Sequence, residues 1–120
     1  MSKKRRTVVV ALGGNAILQP GQQGTFEEQL VNCDLAMRDI AEMVVDGYKV
    51  VLTHGNGPQV GNILIQNEMG AGAVSAMPMD VCGAESQGQV GYMLEQRLIN
   101  HLRRRGCQGP VVTIVTQTAV

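Results

Sequence analysis

Aromatic side chains are almost missing from this 120-residue chain: Phe26, Tyr48 and Tyr92 are the whole set, and tryptophan is absent. The core must then be built from Val, Ile, Leu, Met and Ala, which argues against modules that stack bases on aromatic platforms. Net charge is missing too. Ten basic residues balance ten acidic ones, so no global field draws nucleic acid or an anionic membrane, and neither is expected as a partner. No apolar run reaches the ~20 residues of a membrane-spanning helix. The start, MSKKRRTVVVALGG, has the charged opening of a signal peptide, but Val8 to Leu12 is too short for the apolar region and Gly-Gly-Asn follows it. Cysteine is sparse. Cys33, Cys82 and Cys107 stand far apart, without CxxC or Cys/His grouping, as fits free thiols in a reducing cytoplasm.

What is present is an apolar set of 44% of residues, sufficient for one packed domain. Residues 1–6 read as a basic tail and 7–120 as part of a domain. Thr7 to Leu12 is a β-branched run, as expected of a strand buried on both faces. Gln19 to Gly24 is a polar loop. Thr25 opens a helix with Glu28 in a T-x-x-E capping box, followed at helical spacing by Leu30, Cys33, Met37, Ile40, Ala41 and Val44. Gly47 is placed to stop it. Lys49 to Thr53 is a second strand. Pro58 sits just inside a second helix, which carries Val60, Ile63, Leu64 and Met69. After a loop, a long helix runs from about Asp80 to Arg105. Val90, Met93, Leu94, Leu98 and Leu102 form its stripe, and Arg103 to Arg105 oppose its dipole. Val111 to Val115 reads as a third strand.

The order β-α-β-α-α-β predicts a parallel sheet with helices on its faces. Three strands make a thin α/β sheet whose last strand would be an open edge. The chain therefore reads as the first part of a larger domain.

Both early strands end in the same punctuation: Gly13, Gly14 and Asn15 after the first, Gly55, Asn56 and Gly57 after the second. In an open parallel sheet, ligands bind beyond the carboxyl ends of the strands. Glycine has two uses there. It turns the chain, and it lets backbone N–H groups approach a ligand closely. Asn tolerates unusual backbone angles, and the helix opening near Pro58 adds unpaired N–H groups. A phosphate or carboxylate cradle and simple turning are the two readings. Neither a Walker loop nor a G-x-G-x-x-G fingerprint is present. His54 is either a hydrogen-bonded structural residue or an acid–base group. Asp80, Glu85 and Glu95 read as surface or capping residues rather than a metal set.

The segment GAESQGQVGY, Gly83 to Tyr92, is rich in small residues for a helix interior. Each such glycine costs about 1 kcal/mol relative to alanine, which close approach of another backbone would offset. A neighbouring helix, a partner subunit and a ligand are the alternatives.

In order and separation, ALGGNA, THGNGPQVG and DVCGAESQGQVGYMLEQ resemble the N-terminal part of the carbamate kinases, within the amino acid kinase family. The resemblance implies a three-layer αβα sandwich with a mainly parallel sheet, with the phosphoryl acceptor in the N-terminal half and the nucleotide in the C-terminal half. It implies phosphoryl transfer between ATP and carbamate, giving ADP and carbamoyl phosphate, with Mg²⁺, run towards ATP in arginine fermentation. By motif match Gly13, Gly14, Asn15, Gly55, Asn56 and Gly57 would hold the phosphate or carbamoyl end. The helix with Gly88 and Gly91 would lie at a homodimer interface. Ala11 stands where several relatives place a lysine, which favours carbamate kinase over acetylglutamate kinase. The expected catalytic lysines and metal-binding acid fall beyond Val120, so the chain alone is expected to be inactive. The rival readings are another amino acid kinase with a carboxylate acceptor, and a non-catalytic oligomerisation or anion-binding module.

Overall fold

In the computed structural model, residues 5–120 are described. Lys3 and Lys4 of the basic tail lie outside them; Arg5 and Arg6 are exposed. Among the described residues two strands form, β1 (Thr7–Leu12) and β2 (Lys49–His54). They pair in parallel, in register from Thr7↔Lys49 to Leu12↔His54. Between them runs α1 (Phe26–Val45), and after them α2 (Gly57–Gly70) and α3 (Met79–Arg104). The α/β class with a parallel sheet stands as expected.

Local chemistry sets the helix ends. The Glu28 N–H donates to Thr25 Oγ1 at 3.2 Å, and the Thr25 N–H donates back to Glu28 Oε2 at 3.1 Å. This reciprocal box satisfies two of the N–H groups that a helix start leaves free. Gly47, at φ 95°, ends α1 in the left-handed region that glycine enters without strain. Gly106, at φ 73°, does the same after α3.

The core is the seam between α1 and α3. Cys33, Met37, Ile40 and Ala41 face Val90, Met93, Leu94, Leu98 and Leu102, all buried. Val10, Leu12, Val50 and Leu52 of the strands pack against this seam. A histidine–carboxylate contact and an ion pair close its far end. His101 Nε2 lies 3.1 Å from Asp34 Oδ1, and Arg105 reaches Glu42 at 2.5 Å. Arg105 thus serves a cross-helix pair, while Arg103 and Arg104 remain exposed at the α3 terminus.

Three expectations are corrected. First, Val111 to Val115 forms no strand. Its β-branched sequence favours an extended backbone, but a strand also needs a paired edge, and here the segment lies along α3 instead. The Gln87 side chain takes the place of a strand neighbour, accepting from the Thr116 N–H at 2.8 Å and donating to the Thr116 carbonyl at 3.2 Å. Second, the strands are covered on one face only. Their residues alternate exposed and half-buried, with Val9 65% and Val51 48% exposed on the open face. Among the described residues the helices supply one layer, so two of the expected three layers are built. Third, Met69 is not part of the α2 stripe. It is 82% exposed, in the last turn before Ala71 caps the helix.

Candidate functional site

The two glycine–asparagine junctions meet. Register Leu12↔His54 brings both strands to an end at the same level. The Gly55 N–H donates to the Leu12 carbonyl at 3.4 Å, which ties the second junction to the first. Gly13 continues the extended backbone, and Gly14–Ala16 turn into a short 3₁₀ helix that the sequence did not announce. The Ala16 N–H bonds to the Gly13 carbonyl at 3.0 Å and the Ile17 N–H to Gly14 at 3.1 Å. In such a turn the N–H groups of the first residues, Gly14 and Asn15, have no partner within it.

At the second junction Asn56 occupies the N-cap of α2, with Gly57 and Pro58 opening the helix. No acidic side chain lies in the first turn, so the partial positive charge of the helix start is not neutralised from within it. Neither Leu12–Leu18 nor Gly55–Gly61 contains a charged residue. Whatever this site offers an anion comes from backbone N–H groups, asparagine amides and the helix dipole.

The glycines here are not turning residues. Positive φ among the described glycines occurs at Gly21, Gly24, Gly47 and Gly106, and not at Gly13, Gly14, Gly55 or Gly57. Nor does packing demand them, since a Cβ built at any of these four meets no atom within 4 Å. Alanine would fit all four backbones and all four spaces. Neither conformation nor close packing within the described residues accounts for these glycines.

The glycines of α3 divide. A Cβ at Gly91 would collide with the Thr113 side chain, whereas one at Gly88 meets nothing. The close neighbour of Gly91 is therefore the chain's own C-terminal segment, held also by Thr113 Oγ1 donating to Glu95 Oε2 at 2.8 Å. His54 Nδ1 lies 3.1 Å from the Gly55 carbonyl, a local contact at the strand end. Asp80 and Glu85 are exposed. Among the described residues no three His, Cys, Asp or Glu side chains come together as a metal set.

A buried polar network beneath the site was missed by sequence reasoning. Gln29, Asn32, Gln59 and Ser86 are all at most 5% exposed. Gln59, in the first turn of α2, donates to Gln29 Oε1 at 2.9 Å, and Gln29 donates to the Gly24 carbonyl at 2.8 Å. Asn32 donates to the Ile17 carbonyl at 3.0 Å and to Gln22 Oε1 at 2.6 Å. These bonds fix the start of α2 and the loop after the 3₁₀ turn to one helix, α1. The available signal was phase: Gln29 and Asn32 lie on the stripe of Cys33, Met37 and Ile40, where a polar side chain must find a buried partner.

The three free thiols match expectation: Cys33 and Cys82 are buried and Cys107 is half-buried. Burial pushes the Cys33 thiol up to about 11, partly opposed by the Arg97 charge. No helix among the described residues is long and apolar enough to cross a membrane.

Comparison with known proteins gives a consistent answer. The profile of the amino acid kinase family matches residues 6–119. The carbamate kinase of Thermococcus kodakarensis is 57% identical over 118 residues, which cover 96% of this chain and 38% of that protein. The carbamate kinase of Pyrococcus furiosus is 53% identical over 117 residues, covering 96% of this chain and 37% of its own length. Among solved structures, carbamate kinase from Giardia lamblia bound to AMP-PNP superposes with a TM-score of 0.84 at 47% identity. That match covers 88% of this chain and 37% of the Giardia chain. The chain thus spans well under half the length of the relatives it matches.

Proposed function

The chain belongs to the amino acid kinase family, and from that premise we propose that it is the carbamoyl phosphate side of a carbamate kinase. The reaction would be phosphoryl transfer between ATP and carbamate, giving ADP and carbamoyl phosphate. One observation supports this most directly: Gly13, Gly14, Gly55 and Gly57 cluster at adjacent strand ends, yet neither their φ angles nor their surroundings call for glycine. Close approach of a ligand to the backbone is the use that remains.

In this reading the N–H groups of Gly14 and Asn15 and the start of α2 hold the phosphoryl oxygens, and Asn15 and Asn56 add side-chain amides. Each N–H stabilises charge without a proton changing hands. Transfer also needs cations around the developing charge, and neither junction carries one. Mg²⁺ would arrive with the nucleotide and offset phosphate charge; the described residues offer no ligand set for it. The 120-residue chain alone should therefore bind phosphate weakly and turn over nothing. A homodimer through the Gly88 side of α3, where Gly91 is already taken by Thr113, and a place in the cytoplasm, in arginine breakdown, complete the proposal.

Two measurements test it. Titration of inorganic phosphate and carbamoyl phosphate into the labelled chain should shift the amide resonances of Gly13–Asn15 and Gly55–Gly57, and acetylglutamate should not. A luciferase assay for ATP from ADP, Mg²⁺ and carbamoyl phosphate should stay at background. Shifts confined to other residues would refute the site, and clear turnover would refute the inactivity.

A further inference from the structure

Among the described residues Ser86 carries the one hydroxyl sealed completely inside the molecule, at 0% exposure on α3. Its Oγ donates to the Gly83 carbonyl at 2.6 Å, one turn back along the helix. That bond is ordinary for a helical serine. The second is not: Asn56, thirty residues away at the N-cap of α2, donates its Nδ2 to Ser86 Oγ at 2.5 Å.

Together the two bonds dictate an orientation. A serine hydroxyl has one proton, and here it is committed to Gly83. The oxygen therefore meets Asn56 with lone pairs only. While the hydroxyl donates to Gly83 the amide presents its NH₂ end, because the flipped amide would set Oδ1 against those lone pairs. Without such a partner, the two ends of an asparagine amide are interchangeable.

We infer that Ser86 is a positioning residue that locks the Asn56 amide in one orientation for anion binding at the paired glycine junctions. The inference rests on the site proposed above. With Nδ2 anchored, Asn56 has one remaining N–H for an anionic oxygen, and its Oδ1 is held on the other end of the amide. A free amide would have to lose its rotational freedom on binding and would present a repelling oxygen half the time. The helix α3 thereby reaches the cradle through one part-buried bond, although no residue of α3 belongs to either junction.

The test uses the 120-residue chain, with inorganic phosphate as the probe and nitrogen-edited NMR as the readout. In the ligand-free protein the Asn56 Nδ2 proton on Ser86 should exchange slowly with water. Ser86→Ala should speed that exchange and weaken phosphate binding by roughly three- to tenfold, the range expected for one lost hydrogen bond. Ser86→Thr, which keeps the hydroxyl, should bind within about twofold of the parent. If Ser86→Ala fails to fold, Ser86→Cys keeps the volume with a weaker acceptor and is read the same way. A merely structural serine would lower the melting temperature and leave the affinity of the folded protein unchanged, and that result overturns the inference alone. No phosphate-induced shift at either junction in the parent overturns the proposed site and this inference with it.

Discussion

Replacing Gly57 with alanine should strengthen the fold and damage the site, and the opposed signs make the test sharp. Gly57 is the first residue of α2, has no positive φ, and has empty space where a Cβ would stand. Alanine restricts the unfolded chain more than glycine does, at no cost in the native backbone. Such a change stabilises by about 0.4–1 kcal/mol. For a chain of this size that is a rise in melting temperature of roughly 2–6 °C. The same methyl would stand where a phosphate oxygen must come within hydrogen-bond distance of the backbone, and a steric block of this kind costs a tenfold or greater loss of affinity, about 1.4 kcal/mol or more. Gly14→Ala should behave alike. Thermal unfolding by circular dichroism reads the first effect and phosphate titration by NMR reads the second. A lower melting temperature would show that the glycine serves the fold. An unchanged affinity would show that no ligand approaches there.

Three other outcomes follow from the packing. Gly91→Ala should displace the C-terminal segment, because its methyl meets Thr113; faster hydrogen exchange at the Thr116 amide should report this, and adding Thr113→Ala should restore protection. Met37→Ala, at a fully buried position in the α1–α3 seam, should cost about 2–5 kcal/mol in urea unfolding. Cys33 should make the protein alkali-sensitive. Its thiol stays protonated to about 11 when folded, against 9.0 for the ordinary value, so its contribution is complete below pH 9 and is lost as pH rises towards 11. That contribution is about 2–3 kcal/mol. Urea midpoints measured from pH 8 to 11 should fall for the parent and fall less for Cys33→Ala.

Much of this fold is legible in the sequence because its signals are local. The capping box at Thr25, the stop at Gly47, the stripe of α1 and the stripe of α3 each depend on residues a turn or two apart. The third strand fails for the complementary reason. Val111 to Val115 has the propensity of a strand, but pairing is decided by a distant edge, and the segment is instead held beside α3 by Thr113 on Glu95 and by the neighbouring Thr116 on Gln87. Burial of β1 and β2 on both faces fails likewise, since a β-branched run records preference and not which layers surround it.

The site shows the same division at finer scale. The glycine junctions could be read because glycine and asparagine are unusual at a strand end. Whether those glycines turn the chain or admit a ligand could not be read, because both uses leave the same letters. Backbone angles and empty space separate them, and at Gly13, Gly14, Gly55 and Gly57 both count against turning. The supports of the site, Gln29, Asn32, Gln59 and Ser86, were hidden because each partner is distant in sequence or lies in a loop. A backbone cradle has no charged side chain of its own to hold it in shape. Its geometry must come from neighbours: of the five buried polar residues among those described, Gln29, Asn32, Gln59 and Ser86 gather under its two glycine ends, and His101 lies at the far end of the α1–α3 seam.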